Sequence, residues 1–513
     1  MNNRYTTANA YNDFSQVVTC VENWLSKLSE PVLTKNSDVV RQRITQRLVE
    51  WAFIPYIKLI KQRVDAGLSP LPLSNTPIYL NGVAIDAEIG HVAMSSKASL
   101  RAAIEFFAHW ALALGAILGG MRSRGTINPA TLVYGVGSES LFVDGTDKRF
   151  VNYCQQSAIK PLRAARQLLV QSTLHHGSFS NTSCIYVKYP HLALVKGAKL
   201  GWLKRLGLLI SHLVLPFRFA LAVFRFTPFI LLGRDFALAG IIASLDAAKQ
   251  IEAVILTNSS GKVQPLWMRG KRNFLVHMVW YSQNTKPHIY REHPVKSQIP
   301  HLRHIAADVH WVWTAGYKDY LTETLNFPGT IEVVDPILWC LPETVSNTSN
   351  FFNLAVFDVT PISDSLATDF GMLDNFLCAE NMMRFLKELV GVCDEVSESS
   401  GINFNIMLKH KRETTHSAWA AEYLELVSDL AAKDKIKLVN HQANIFSMVS
   451  ECVLTVAIPY SSPIYASAYM GVPAIYFDPT GQLLPTHEKA DKVCFASGKA
   501  ELTKIITKIV TKI

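Results

Sequence analysis

Apolar positions over residues 1 to about 70 recur at helical spacing, as in VVRQRITQRLVEWAFIPYIKLIKQRV, and predict amphipathic helices. A Pro- and Gly-punctuated stretch from about 70 to 95 predicts loops. Two oily stretches follow. The first, AAIEFFAHWALALGAILGG at 102–120, is long enough to cross a bilayer. Glu105 and His109 stand one helical turn apart within it, and a lone lipid-facing span would carry a penalty on the order of a few kcal/mol for them. A buried or interfacial, membrane-proximal helix is therefore the first reading and a true span the second. The other oily stretch, LGWLKRLGLLISHLVLPFRFALAVFRFTPFILLGRDF at 200–236, is interrupted by Lys204, Arg205, Pro216, Arg218, Arg225 and Pro228. Broken, basic and aromatic, it has the pattern of a segment lying in the plane of a membrane surface. Two core helices whose arginines reach solvent are the alternative.

Beyond these the pattern alternates short β-rich runs with helical stretches, which predicts parallel α/β domains. TLVYGVGSES (131–140), QIEAVILTNSSG (250–261), NFLVHMVWYSQN (273–284), VHWVWTAGY (309–317) and GTIEVVDPILW (329–339) form one series. The Asn/Ser/Thr-rich PETVSNTSN (342–350) reads as a linker to a second series. That series contains FNLAVFDVT (352–360), INFNIMLKH (402–410), IKLVNH (436–441), CVLTVAIP (452–459) and PAIYFD (473–478). The tail ELTKIITKIVTKI carries an apolar stripe with Lys504, Lys508 and Lys512 off it, a closing helix. The expected fold class is α/β, with two Rossmann-like domains behind an N-terminal helical extension. The regions are 1–125, 126–345 with the insertion 200–236, and 346–513.

Composition narrows the partners. At 513 residues the chain has room for two or three cores, and 50 Lys and Arg against 41 Asp and Glu leave it at +9. That excess favours phosphate-bearing ligands or an anionic membrane surface. Nucleic acid is not expected, because RGG repeats and lysine blocks are absent. Mean hydropathy, at +0.15, is slightly oily for a soluble protein. The eight cysteines show neither CxxC nor Cys/His metal spacing, and the polar start MNNRYTTANAYNDFSQ has no apolar signal core. Together these point to a reduced cytosol.

Ligands of a parallel sheet bind beyond the carboxyl ends of its strands, and three turns there carry candidate chemistry. In IPYSSPIYASAYMG, Ser462 is placed as N-cap, Pro463 as first helical residue and Gly471 as left-handed stop. Ser461 and Ser462 then offer hydroxyls at a helix N-terminus, although a cap with a spare serine is the plainer account. In MLKHKRE, Lys409, His410, Lys411 and Arg412 end another strand of the same sheet, where a solvated cluster is the plainer account. Two anion-friendly features on one sheet edge favour a phosphate site, with Thr360 of FDVTP closing it. The Gly-x-Gly of YGVGSES lacks the third glycine and the acidic residue of a dinucleotide fingerprint, so no NAD is expected.

IPYSSPIYASAYMGVPAIYFDP, with LKHKR upstream and MVWYSQN in the first half, resembles bacterial surface-polysaccharide biosynthesis proteins named for a PFTS motif. The motif stands here as Pro459-Tyr460-Ser461-Ser462, and the resemblance spans roughly 130 to 490. It implies a GT-B-like pair of domains facing a cleft and a glycosyltransferase without a cofactor. The nucleotide-sugar donor would lie on 346–513, and a glycan or polyprenyl-linked acceptor on 126–345. More distantly it resembles enzymes using CMP-linked acidic sugars, but their usual His-Pro is replaced by Lys and Arg, which leaves the nucleotide open. Lys409, Lys411, Arg412, Ser461 and Ser462 would then hold the donor phosphate, with no metal. For an inverting transfer Glu139 is the candidate base and Asp144 the second choice, with Tyr281, Ser282 and Asn284 on the acceptor side. The implied location is cytoplasmic, peripheral on the inner face of the plasma membrane. A non-catalytic scaffold and a sugar-nucleotide epimerase are the competing readings.

Overall fold

Parallel strands cannot be joined by tight turns, so each needs a crossover, usually a helix, and the alternating pattern supplies them. The structure, a computed structural model, describes residues 5–27, 37–70, 78–80, 82–86, 91–122, 126–137, 149–172, 177–178, 184–257, 264–282, 288–297, 299–325, 329–342, 352–414, 419–485 and 493–511.

A first large sheet is built from β4 (Ala130–Tyr134), β5 (Leu168–Gln171), β6 (Gly177–Ser178), β7 (Cys184–Val187), β8 (Ile251–Thr257), β9 (Leu275–Val279), β10 (Val309–Val312) and β11 (Thr330–Val333). They run in the order β11-β10-β9-β8-β4-β5-β7-β6, all parallel except the short edge strand β6. A second comprises β12 (Phe352–Phe357), β13 (Phe404–Lys409), β14 (Lys437–Val439), β15 (Leu454–Ala457), β16 (Ala474–Asp478) and β17 (Val493–Ser497). Its order is β14-β13-β12-β15-β16-β17, parallel throughout. Strands β4, β12, β15 and β16 are buried at every position, as sheets covered on both faces require. These are the two Rossmann-like halves that the alternation predicts. Strands β5, β7 and β17 escaped it because four- and five-residue runs with mixed polarity carry little period.

The stretch read as loops contains a small antiparallel sheet, which corrects that expectation. Its strands are β1 (Ile78–Leu80), β2 (Val83–Asp86) and β3 (His91–Met94). Strands of three or four residues are too short for alternation to register, and Gly82 at φ +84° is turn punctuation rather than a break in structure.

Helices Thr7–Lys27 and Ser37–Asp65 form as predicted, but they are no appendage. Phe14, Tyr56 and Ile57 join the core beneath the first sheet. At the other end the Thr7 amide donates to Asp374 at 2.6 Å and Lys58 pairs with Asp369 at 2.5 Å, both beside the second sheet. Arg43 anchors this bridge. Its buried guanidinium meets Asp235 at 2.7 Å and Glu50 at 3.5 Å, and Arg269 shares Gln46 with it. Burial pulls the Arg269 pKa down to about 9, with Arg43 adding repulsion.

The segment 200–236 divides into helices Trp202–Leu213 and Leu215–Arg225 and a 3-10 turn Thr227–Leu232, with Pro216 and Pro228 opening the last two. Helix Gly233–Ala247 follows and is largely buried. Arg205, expected at a surface, is buried and donates to the carbonyls of Val195 and Ala198, closing the end of helix Pro190–Gly197.

Two predictions follow from this packing. Asp235→Ala removes the nearer of the two carboxylates paired with the buried Arg43, leaving Glu50 at 3.5 Å, and should lower unfolding free energy by about 3 kcal/mol, read by urea titration. Burial holds His191, His304 and His310 at pKa about 3 and His277 at about 4. Trp280 Nε1–H donates to His310 Nδ1 at 3.1 Å, which requires a neutral ring. The unfolded chain binds these protons below about 6.5 while the folded chain refuses them. Stability is therefore full above about pH 6.5 and falls below it, by at most about 1.4 kcal/mol per pH unit for each histidine. Urea midpoints at about pH 7.5 and 5 check the sign.

Candidate active site

All six strands of the second sheet end at one edge, and register places β13, β12 and β15 side by side there. Phe357 pairs with Lys409 on one side and Ala457 on the other. The turns that follow carry Asp358 and Thr360, His410 to Arg412, and Pro459 to Ser462.

Asp358 organises the edge. Its buried carboxylate accepts from the His410 ring at 2.5 Å, the Lys411 amide at 3.0 Å and the Tyr423 hydroxyl at 3.0 Å. His410 also lies against Trp419, with ring centroids 4.9 Å apart. Held at Nδ1, the imidazole has its second nitrogen fixed, and Nε2 is buried without a partner among the described residues. Thr360 Oγ1 and Ser461 Oγ are likewise buried and unpartnered among them. These three polar groups without partners among the described residues lie one beyond each of three adjacent strands. Asp358 fixes the His410 ring through Nδ1.

The serine turn is shaped by Tyr460, a non-glycine residue at φ +73°. Such a conformation persists only where surroundings over-determine it. The Tyr460 hydroxyl donates to Leu484 O at 3.0 Å, and its ring stacks on His288 at 5.5 Å. Tyr476 donates to Ser461 O at 3.0 Å from below. His288 arrives from the first half of the chain on a strap that pairs with the second. The Arg291 amide donates to Gln482 O and the Leu484 amide to Ile289 O, both at 2.8 Å. Burial lowers the His288 pKa, against the pull of Asp374 and Asp478.

Ser462 departs from its expected role. It precedes helix Pro463–Tyr469, but at φ −65°, ψ −29° it is already helical and makes no side-chain cap bond. Helical dihedrals there point its Oγ away from the first amides. Gly471 takes the predicted left-handed stop at φ +76°. Lys409 is buried and donates to His441 O at 2.6 Å, and burial pushes its pKa down to about 8. The side chain of Lys411 is exposed and that of Arg412 half-buried at the rim.

The first sheet meets this edge. Trp313 beyond β10 makes a T-shaped contact with Tyr465 at 5.9 Å, and Arg149 donates to Gln442 O at 2.7 Å. Tyr281, half-buried beyond β9, lies 5.9 Å from Trp339, and the half-buried Ser282 follows it. Glu139, Asp144 and Asn284 lie outside the described residues.

Asp358 was not singled out from the sequence, and His410 was read only as one of four basic groups after its strand. A signal existed: along β13, Ile406 and Leu408 enter the core on one face and Met407 enters that on the other. Alternation continued by two residues puts His410 with the first set and Lys409 with the second.

Residues 217–506 match the sequence model of a family described as polysaccharide biosynthesis PFTS motif protein, more than half of the chain. No curated protein matches it. Among solved structures, sucrose-phosphate synthase from Thermosynechococcus elongatus overlaps at TM-score 0.38 and 12% identity, covering 75% of this chain and 90% of that one. The wall teichoic acid polymerase TagF overlaps at 0.36 and 10%, covering 81% and 90%. The pneumococcal O-GlcNAc transferase GtfA, solved with UDP and GlcNAc, overlaps at 0.30 and 13%, covering 53% of each chain. This chain thus spans about half the length of GtfA, and of TarM 52%. At such scores the likeness carries no argument, and the fold rests on the chain's own sheet topology.

Unpartnered hydroxyls destabilise a core, so Ser461→Ala and Thr360→Val should melt at or above the wild-type temperature, within about 1 kcal/mol. Asp358→Ala strips three donors of their acceptor and should cost about 3 kcal/mol or more. Differential scanning calorimetry separates the two classes.

Proposed function

The chain belongs to the family of polysaccharide biosynthesis PFTS motif proteins, and from that premise we propose that it is a glycosyltransferase using a nucleotide-sugar donor. The carrying observation is the set of three buried polar groups without partners among the described residues, Thr360 Oγ1, His410 Nε2 and Ser461 Oγ, at one sheet edge. They suit the phosphate of a donor bound on 346–513, with Lys411 and Arg412 at the rim and Ser462 beside it. Lys409 acts one step removed, by fixing the turn at His441.

In the transfer, an acceptor hydroxyl oxygen attacks the anomeric carbon. The bond from that carbon to the phosphate oxygen breaks, and its electron pair leaves on the phosphate. His410, held by Asp358, stabilises that charge with the two hydroxyls, so no metal is needed. Attack from the opposite face inverts the anomeric centre, and a carboxylate takes the hydroxyl proton. Glu139 is the proposed base and Asp144 the second choice, with Tyr281, Ser282 and Asn284 on the acceptor side of 126–345. The donor is proposed as a CMP-linked acidic sugar, and the acceptor as a glycan or polyprenyl-linked carrier at the inner face of the plasma membrane. A scaffold of the same shape would bind without transfer, and an epimerase would need no acceptor.

A thermal-shift panel of CMP-, UDP-, GDP- and TDP-linked ligands tests the donor site. One nucleotide class should raise the melting temperature of the wild type and not that of Ser461→Ala or Thr360→Val. Silence across the panel overturns the reading. With a donor and acceptor in hand, Glu139→Gln should lower kcat by about a hundredfold or more. Full turnover by both Glu139→Gln and Asp144→Asn removes them as bases.

A further inference from the structure

Helix Ser96–Arg122 has two apolar faces. Ala102, Phe106, Ala113 and Ile117 turn into the core. Leu100, Ile104, Phe107, Leu112, Leu118 and Met121 form a second row along the whole helix, and all are exposed. Beside it the pair Trp202–Leu213 and Leu215–Arg225 runs antiparallel, bent by 42° at its break. Three contacts fix the direction: Phe219 stacks on Phe106 at 4.1 Å, His212 and Trp110 exchange hydrogen bonds of 2.9 Å with each other's carbonyls, and Arg205 fills the space over Gly120. This pair also faces outward with its largest side chains: Phe224 is 88% exposed, Phe217 71%, and Trp202 and Leu203 68% each.

We infer that these three helices form one in-plane docking face for an anionic bilayer surface. Charge selects the occupant. No Asp or Glu occurs between Asp147 and Asp235. Lys204, Arg218 and Arg225 are exposed on the same two helices as the aromatic side chains, and Arg101 and Arg122 stand exposed at the ends of the first. The one carboxylate of the first helix, Glu105, is neutralised by Arg47 and by Arg101 at 3.7 Å. An apolar row with basic rims and no free acid matches acyl chains beneath anionic headgroups.

The same contacts decide between lying on a bilayer and crossing it. Helices Ser96–Arg122 and Thr227–Ala247 are long and apolar enough to span. The first, however, is packed along its inner face, and Glu105 ties it to Arg47 of helix Ser37–Asp65. In the second, Leu238, Ile241 and Leu245 lie in the core beneath the first sheet. Spanning would pull both from that core, whereas lying flat leaves every buried contact in place and covers the outer row.

Co-flotation of the full chain with phosphatidylglycerol/phosphatidylcholine vesicles, against phosphatidylcholine alone, tests this. The wild type should float with the anionic vesicles and be released by high salt. Phe217→Glu/Phe224→Glu and Ile104→Glu/Phe107→Glu should each cut the bound fraction by about tenfold or more while melting as the wild type does. Lys204→Gln/Arg218→Gln/Arg225→Gln should reduce binding to the level on neutral vesicles. A wild type that stays at the bottom of the gradient overturns the inference. So does flotation indifferent to lipid charge, or a dimer in light scattering that the phenylalanine variants dissolve. Flotation needs no donor, so its failure and that of the donor site are separable.

Discussion

One buried carboxylate holds the candidate site together. Asp358 sits beyond a central strand where water does not reach, so its charge must be answered by protein groups. It draws three donors from three places: the His410 ring, the Lys411 amide and, from helix Ala421–Ala432, Tyr423. Each bond fixes something the next layer needs. The amide pins the turn after β13, the ring contact leaves one imidazole nitrogen set in place, and the tyrosine seats the helix against the edge. The unpartnered Nε2 follows from the satisfaction of Nδ1.

The edge is completed by chain from elsewhere. The strap carrying His288 crosses from the first half to brace the strained Tyr460, and the N-terminal helices tie Thr7 and Lys58 to Asp374 and Asp369 of the second half. Trp339, buried among Phe150, Tyr153 and Tyr281, fills the junction of the two sheets. A left-handed tyrosine at a ligand turn is strain that such bracing can hold. It places Ser461 next to, rather than within, the helix start, and its hydroxyl has no partner among the described residues.

Apolar sequence is put to two uses in the first half. Ala102 and Phe106 bury inward while Ile104 and Phe107, two positions away or adjacent, stay outside. The helix is oily on both faces, one packed in the core and one exposed. Arg205 shows the reverse: a basic residue in a membrane-like stretch that serves the backbone of its own layer.

Local pattern was enough for much of this protein. Alternation and turn chemistry specified most strands of both sheets, the closing helix and the left-handed Gly471, while the family came from the resemblance of its motifs. These are properties of neighbours a few residues apart, where period and backbone sterics decide. Short elements such as β1 to β3 fell below that threshold. Which polar groups stay without partners was not legible, because it depends on residues distant in the chain: His410 with Asp358, 52 positions away, and Lys409 with His441, 32 positions away. The sequence determined that hydroxyls and cations would gather at one sheet edge. Only the tertiary structure decided which of them are tied to protein groups and which are not, since hydrogen-bond satisfaction in a core is settled by whichever long-range partner arrives.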